Sequence, residues 1–237
     1  MATRLFVGTS GFSYDEWKPA FYPADLKKDA MLGYYAGRLP AVELNNTFYR
    51  MPSPKLTAKW SSEVPAGFCF AVKASQRITW TQKLKDCGEL LARLFAAVGE
   101  LGDKLGCVFY QLPKWVRKDV PLLQEFLVQQ QPGIPVAFEF AHASWLEDDA
   151  LAQLRAHDAA VVLSDKADAE TPALIDTGTW CYLRLRREEY SDDALRGWHE
   201  RIAARGLQRC FVFFKHEDSC AGPALARRFL DLQPVES

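Results

Sequence analysis

Polar and charged residues recur at the ends of otherwise apolar runs. In chain order they are Thr9 and Ser10, Glu43 and Asn45, Lys73, Gln111, Glu139 with His142, Asp165, Arg184 with Arg186, and Lys215 with His216. Glu43, Glu139 and Asp165 are able to supply a general acid and a general base, provided burial and neighbouring charge leave one carboxyl protonated and another ionised. The same residues also suit a plainer arrangement, a ring of salt bridges with Lys73, Arg184 and Lys215. Lys73 closes the run Phe68-Cys69-Phe70-Ala71-Val72, so its stem is expected to be buried. Such an amine acts as a base, forms a Schiff base or, most simply, pairs with a phosphate or carboxylate. Arg184, Arg186, Arg187 and Lys215 make the later part of the set cationic, which fits a bound anion. Gly8-Thr9-Ser10-Gly11 is either a place where backbone N–H groups approach an anion or a tight turn. His142 and His216, beside Glu139 and Asp165, have the chemistry of divalent-metal ligands. Neither shows a His-Glu-x-x-His or comparable spacing, so no metal site is assigned and no cofactor is specified. Aromatic residues cluster in the same segments: Phe12, Tyr14, Trp17, Phe21 and Tyr22, then Phe48 and Tyr49, then Trp145. Their rings either stack on a ligand or form a packed roof.

These groups converge only if the elements bearing them do. Short β-rich runs at 5–9, 41–45, 68–73, 106–111, 135–140, 160–164, 181–185 and 210–215 alternate with segments of helical periodicity. Alternation of this kind predicts βα units around a parallel sheet, and eight strands is the number that closes a (β/α)8 barrel. Leu84, Cys87, Leu91, Leu94, Val98 and Leu101 form the strongest helical stripe. Ser53-Pro54, and Asp119 with Pro121, suit helix starts near Leu56 and Leu122. Further helices are expected over 30–37, 149–156, 193–204 and 223–232. The sixth unit is the weak one, because 166–178 offers only 172–176 as a turn or two, so a degenerate sixth helix is part of the expectation. An open doubly wound sheet is the rival fold, but Gly8-Thr9-Ser10-Gly11 is not its Gly-x-Gly-x-x-Gly turn. In a barrel, the strand ends and the loops after them form one mouth, where catalytic groups gather.

A chain of 237 residues is long enough to bury one large core, so residues 1–237 are read as one barrel domain. Hydrophobic residues at 49% and charged ones at 25% are those of an ordinary globular chain, which excludes the disordered and fibrous classes. A net charge of −1 removes the overall basic excess expected of a protein that holds duplex nucleic acid through phosphates. No leader-like apolar stretch opens the chain and no run approaches membrane-spanning length, so it reads as cytoplasmic with no membrane partner. The six cysteines lack a Cys-x-x-Cys pair, and four lie in strand-like runs, which suits reduced, buried thiols. Oligomeric state is not indicated.

The motifs as a set are more specific than any one of them. They are Gly8-Thr9-Ser10-Gly11-Phe12-Ser13-Tyr14 with Trp17, Phe21-Tyr22-Pro23, and Val42-Glu43-Leu44-Asn45-Asn46-Thr47-Phe48-Tyr49-Arg50 with Pro52. Later come Phe70-Ala71-Val72-Lys73 with Ile78-Thr79, Gln111-Leu112-Pro113, and Phe138-Glu139-Phe140 with His142, Ser144 and Trp145. Over almost the whole chain the sequence resembles the bacterial YecE-like family, a domain of unknown function with a TIM-barrel fold. The resemblance implies a barrel with a shared polar mouth and carries no reaction with it. The likeness of such barrels to endonuclease IV implies nucleic-acid processing by analogy of fold alone. Ala141 stands where the family has an arginine, Arg186-Arg187 where it has His-Gly, and Lys215-His216 where it has an asparagine pair. A cation lost after strand five is thus matched by cations gained after strands seven and eight, as expected of a divergent subgroup whose cationic centre has moved.

The leading expectation is a small anionic ligand, phosphorylated or nucleotide-like, processed by acid and base chemistry of a hydrolase, lyase or isomerase type. Glu43, Lys73, Glu139 and Asp165 are the catalytic candidates. Ser10, Gly11, Tyr14, Trp17, Asn45, Tyr49, Arg50, Gln111, His142, Trp145, Arg184, Arg186, Lys215 and His216 are the substrate-binding candidates. The alternatives are a nucleic-acid-binding or processing barrel and a non-catalytic ligand sensor.

Overall fold

A computed structural model of the chain describes residues 3–166, 169–215 and 220–232. Eight parallel strands close on themselves in sequence order, with β1 (Arg4–Ser10) pairing both β2 (Ala41–Leu44) and β8 (Arg209–Phe214). Between them lie β3 (Cys69–Lys73), β4 (Leu105–Leu112), β5 (Val136–Phe140), β6 (Ala160–Asp165) and β7 (Trp180–Leu185). Each expected strand is present, with ends within one or two residues of those read from the apolar runs, and the fold is the (β/α)8 TIM-like barrel.

The outer layer holds α1 (Met31–Ala36), α2 (Pro54–Ser62), α3 (Gly88–Gly99), α4 (Val120–Val128), α5 (Asp148–Ala156), α6 (Asp192–Ala203) and α7 (Ala221–Asp231). Short polar side chains start three of these helices by accepting otherwise orphaned N–H groups. Ser53 Oγ takes that of Leu56 at 3.3 Å, Asp119 Oδ1 that of Leu122 at 3.0 Å, and Ser191 Oγ that of Ala194 at 3.2 Å. The stripe from Leu84 to Leu101 is buried along its length, but α3 occupies only its middle. Lys83, Leu84 and Asp86 have φ of 51°, 73° and 51°. That left-handed backbone breaks the helix ahead of Cys87, so Leu84 and Cys87 reach the core from a loop.

No helix joins β6 to β7 among the described residues, as the weak periodicity of that unit led us to expect. Arginines from neighbouring segments satisfy its backbone instead. Arg205 donates to Leu174 O at 3.0 Å, Arg155 to Asp176 O at 2.9 Å, and Arg187 to Ala169 O at 3.1 Å.

The barrel interior is a packed core. Alanines at 41, 71, 137 and 160 leave room for aromatic residues from β4, β7 and β8. Tyr182 lies 5.4 Å from Phe109, 5.9 Å from Phe211 and 5.3 Å from Phe213, centroid to centroid. Such pairs contribute about 0.5–1.5 kcal/mol each beyond the area they bury. No helix among the described residues is long and apolar enough to cross a membrane.

Candidate functional site

Side chains alternate across each strand, so those that share a face with the interior core must emerge together at the mouth. Ala41 and Glu43 follow this parity, as do Ala71 and Lys73, Phe109 and Gln111, Ala137 and Glu139, Val162 and Ser164, and Tyr182 and Arg184. Arg186 and Lys215 continue the same count beyond β7 and β8. The sequence-derived candidates Ser10, Glu43, Lys73, Gln111, Glu139, Arg184, Arg186 and Lys215 therefore share one region.

Arg184, 1% exposed, is its centre. Its Nη2 donates to Glu43 Oε1 and its Nη1 to Glu139 Oε2, at 2.9 and 2.8 Å. Around Glu43, Ser10 Oγ also donates to Oε1, as does Asn45 Nδ2 at 2.9 Å, while the Tyr182 hydroxyl donates to Oε2 at 2.6 Å. Around Glu139, Gln111 Nε2 donates to Oε2 at 2.6 Å, and Ser164 Oγ and Arg186 Nη2 donate to Oε1 at 2.7 and 2.8 Å. Burial alone would push both carboxyls upward, but the Arg184 guanidinium outweighs it. Glu43 is held below the usual carboxylate range, and Glu139, with Arg186 added, is drawn down to about 2. The expected split between one protonated and one ionised carboxyl is thereby corrected, because a single arginine bridges the two and both are ionised. The bridging ring does exist, but arginines form it and Lys73 does not.

Lys73 stands apart from this network. Its Nζ has no hydrogen-bond acceptor among the described residues and lies 4.2 Å from the centroid of the Phe48 ring. Burial, reinforced by the charge of Arg184, brings its pKa down to about 8; Glu43 and Glu139 oppose that shift and Lys215 adds to it. A titration of the lysine followed by NMR of 13C-dimethylated protein is expected to place one lysine near pH 8. Finding every lysine near its ordinary value of about 10.4 would contradict this environment.

Several candidates are elsewhere. Asp165 has the opposite parity to Ser164, so its carboxylate faces the helical layer, where Arg187 Nε donates to it at 2.9 Å and the Tyr190 hydroxyl at 3.0 Å. It is a buried anchor for the loop after β7 and does not join Glu43 and Glu139. Trp17 and Trp145 are both 1% exposed and serve as packing. Trp145 stacks on Phe140 at 5.0 Å with its Nε1 on Val116 O, while Trp17 packs against Tyr14, Phe21 and Tyr22. His142 accepts the Ser144 N–H at Nδ1, 3.1 Å away, and so starts a short helical turn. Gly11 has φ +87°, the Tyr14 ring fills its vacant Cβ position and its N–H donates to Glu43 O at 2.8 Å, so this glycine is held in a turn. Tyr14 and Asn45 line a small cleft of about 270 Å³ beside that turn. Tyr49 and Arg50 are exposed on the rim. His216 lies outside the described residues. Among those described, no three His, Cys, Asp or Glu side chains gather to hold a metal ion.

A cleft of about 470 Å³ opens beside the network over β4, β5 and β6. Gln111, Glu139, Ser164 and Arg186 line it, together with Trp80, Ala141, Leu146, Lys166 and Glu170. Sequence reasoning missed Ser164, Tyr182 and Trp80. Counting in twos from Ala160 and from Arg184 finds the first two; no periodicity marks Trp80, which sits on a π-helical turn at Arg77–Thr81.

Comparison with known proteins gives the same frame. The chain is 28% identical over 149 residues to the UPF0759 protein YunF of Bacillus subtilis (strain 168), covering 60% of this chain and 52% of that protein. It is 24% identical over 124 residues to the UPF0759 protein YecE of Escherichia coli (strain K12), covering 52% and 43%. The matched stretches thus span about half the length of these curated relatives. A DUF72 family protein from Thermotoga maritima MSB8 superposes with a TM-score of 0.77 at 26% identity, covering 96% of this chain and 97% of that one. A second, from Enterococcus faecalis V583, gives 0.79 at 17% identity, covering 100% and 97%, and supports the fold alone. The family model described as "Protein of unknown function DUF72" matches residues 6–236, and the chain belongs to that family.

Proposed function

We propose that the mouth binds a small anionic ligand and acts on it by proton transfer. The observation that supports this reading is the convergence of four cations on one mouth. The inward-facing Lys73, Arg184, Arg186 and Lys215 gather beside Glu43 and Glu139, with Arg184 and Lys73 themselves buried. An anion entering beside them would meet concentrated positive charge in a partly dehydrated site, where charge pairing is strong. We read the departures in sequence as a cationic centre displaced towards β7. In support, Arg186 reaches from the end of β7 to Glu139 on β5, and both it and Ala141 line the cleft over β4, β5 and β6. With both glutamates held ionised, Lys73 is the group in the region suited to exchanging a proton near neutral pH.

Calorimetric titration with inorganic phosphate and a panel of sugar phosphates and nucleotides tests the reading. Arg186→Ala and Lys215→Ala are each expected to weaken the best-bound anion about 10-fold or more, since a hydrogen bond to a charged group contributes about 1.5–3 kcal/mol. Unchanged affinity in both variants for every anion bound by the parent protein would refute it.

A second reading, single-stranded nucleic acid, draws on a line of rings at the rim. Tyr49, Trp80 and Trp115 are 76%, 36% and 56% exposed; Phe48 joins Tyr49 to Trp80 and Trp80 meets Trp115 directly, each edge to face, with Arg50, Arg77 and Lys114 also exposed. Exposed rings beside cations fit stacked bases and their phosphates. Strand binding that falls steeply with salt and is lost in Trp80→Ala with Trp115→Ala would favour it.

A further inference from the structure

The amine of Lys73 is placed unlike Arg184 and Arg186. Those guanidiniums lie against carboxylate oxygens at 2.8–2.9 Å, whereas Lys73 Nζ lies 4.2 Å from the centroid of the Phe48 ring and 5.7 Å from that of Phe109, a ring that Arg184 also faces at 5.3 Å. Its main chain is pinned, because Lys73 O accepts the Thr47 hydroxyl at 2.7 Å within the β3 ladder, and the residue is 9% exposed. Burial against apolar rings and a neighbouring cation are the two conditions that activate a lysine as a nucleophile. The ring faces themselves attract an ammonium, so it is burial and the Arg184 charge that outweigh them and favour the neutral amine.

We propose that Lys73 Nζ forms a covalent imine with the carbonyl carbon of a small anionic aldehyde or keto acid. The proposal rests on the anion-binding reading above and names its substrate class. The neutral amine adds to the carbonyl carbon, and the proton it loses passes to the carbonyl oxygen, giving a carbinolamine. That oxygen takes one further proton from solvent and leaves as water, so that amine, carbonyl compound and one proton give a protonated imine and water. Arg186 and Lys215 hold the anionic end of the substrate. The ionised Glu43 and Glu139 offset the positive charge kept at the nitrogen. Near pH 7.5 an amine titrating at about 8 is roughly a quarter neutral, against about one part in a thousand for an ordinary lysine, so its neutral fraction is about 200-fold larger.

Reductive trapping tests this on the intact chain. Glyoxylate is the anionic probe and glycolaldehyde the neutral one of similar size, each with sodium cyanoborohydride, followed by peptide mapping. Lys73 is expected to gain the trapped adduct about 100-fold faster than exposed lysines, to prefer glyoxylate, and to be protected by excess inorganic phosphate. Lys73→Arg, with its fold checked by circular dichroism, is expected to lose that fast labelling and leave the slow background. Glyoxylate labelling spread evenly over the lysines would overturn the imine, whatever the variant does. If phosphate still binds by calorimetry in that case, the anion reading survives alone. If phosphate neither binds nor protects while Lys73 is labelled fast by both probes, the anion reading fails and the nucleophile stands, with a neutral carbonyl compound as its substrate.

Discussion

Replacing Arg184 by methionine is expected to lower folding stability by about 3–5 kcal/mol near pH 7, read as a shift of the urea unfolding midpoint at unchanged slope. The arginine is 1% exposed and, among the described residues, is the one group bonded to both Glu43 and Glu139. Without it the donors that remain to Glu43 among those residues are neutral, and Glu139 keeps Arg186, which is itself partly exposed. Uncompensated buried charge, more than the missing bonds, sets the size of the loss. The pH dependence separates this cause from simple loss of packing. In the parent protein both carboxyls have folded pKa values below the unfolded value of about 4.3. Their contribution is present above that value and is lost as pH falls through the folded ones, about 2 for Glu139. In Arg184→Met the carboxyls are free to take up protons when the protein is acidified. The deficit is therefore expected to be widest above about pH 5 and to shrink towards pH 2–3. A deficit that does not change with pH would assign the role of Arg184 to packing alone. Changing all three residues together, with Glu43→Gln and Glu139→Gln, is expected to recover most of the loss, because it removes the buried charge as well as its partner.

How much of this was legible in the sequence depended on whether a local pattern carried it. Eight apolar runs alternating with helical stripes were enough for the barrel, because strand closure requires only their number and order. The helix after β6 was already doubtful, since 166–178 lacks an apolar stripe and arginines replace it. The site was legible to the resolution of one residue, and one residue mattered. Asp165 ends its apolar run as conspicuously as Glu43 or Glu139 ends its own, yet it differs by one from the parity of Val162 and Ser164. A shift of one position moves a side chain from the barrel mouth to the helical layer. Trp17 and Trp145 were illegible for a different reason. Aromatic residues in loops read the same whether they roof a core or face a ligand, and only their burial tells the two apart. The charge state of the glutamates was likewise hidden. Whether two carboxyls share a proton or share an arginine depends on contacts among β2, β5 and β7 that no spacing along the chain encodes.

Gly8→Ala is the second substitution with a large expected effect, about 3 kcal/mol or more of folding stability, and its cause is backbone crowding. A Cβ at Gly8 would lie 1.8 Å from Ala41 O and 2.8 Å from the Tyr35 hydroxyl. That hydroxyl, brought by the buried Tyr35 of α1, accepts the Thr9 N–H at 2.9 Å and donates to Ala41 O at 2.8 Å, so it bridges β1 and β2 where the two strands meet. Relieving the collision by moving β1 away from β2 breaks the bridge and strands two buried backbone groups, each costing about 1–3 kcal/mol if left unpaired. The disturbance does not stop there. Gly8 pairs with Ala41, and two positions on, Ser10 pairs with Glu43, whose Oε1 receives the Ser10 hydroxyl. Anion affinity at the mouth is therefore expected to fall along with stability in Gly8→Ala. Tyr35→Phe isolates the bridge, since it removes the hydroxyl without adding an atom, and should cost less than Gly8→Ala. Urea unfolding of the two variants decides the matter: a Gly8→Ala protein as stable as the parent would mean that β1 and β2 can part at this point, and that the glycine is not required by their close approach.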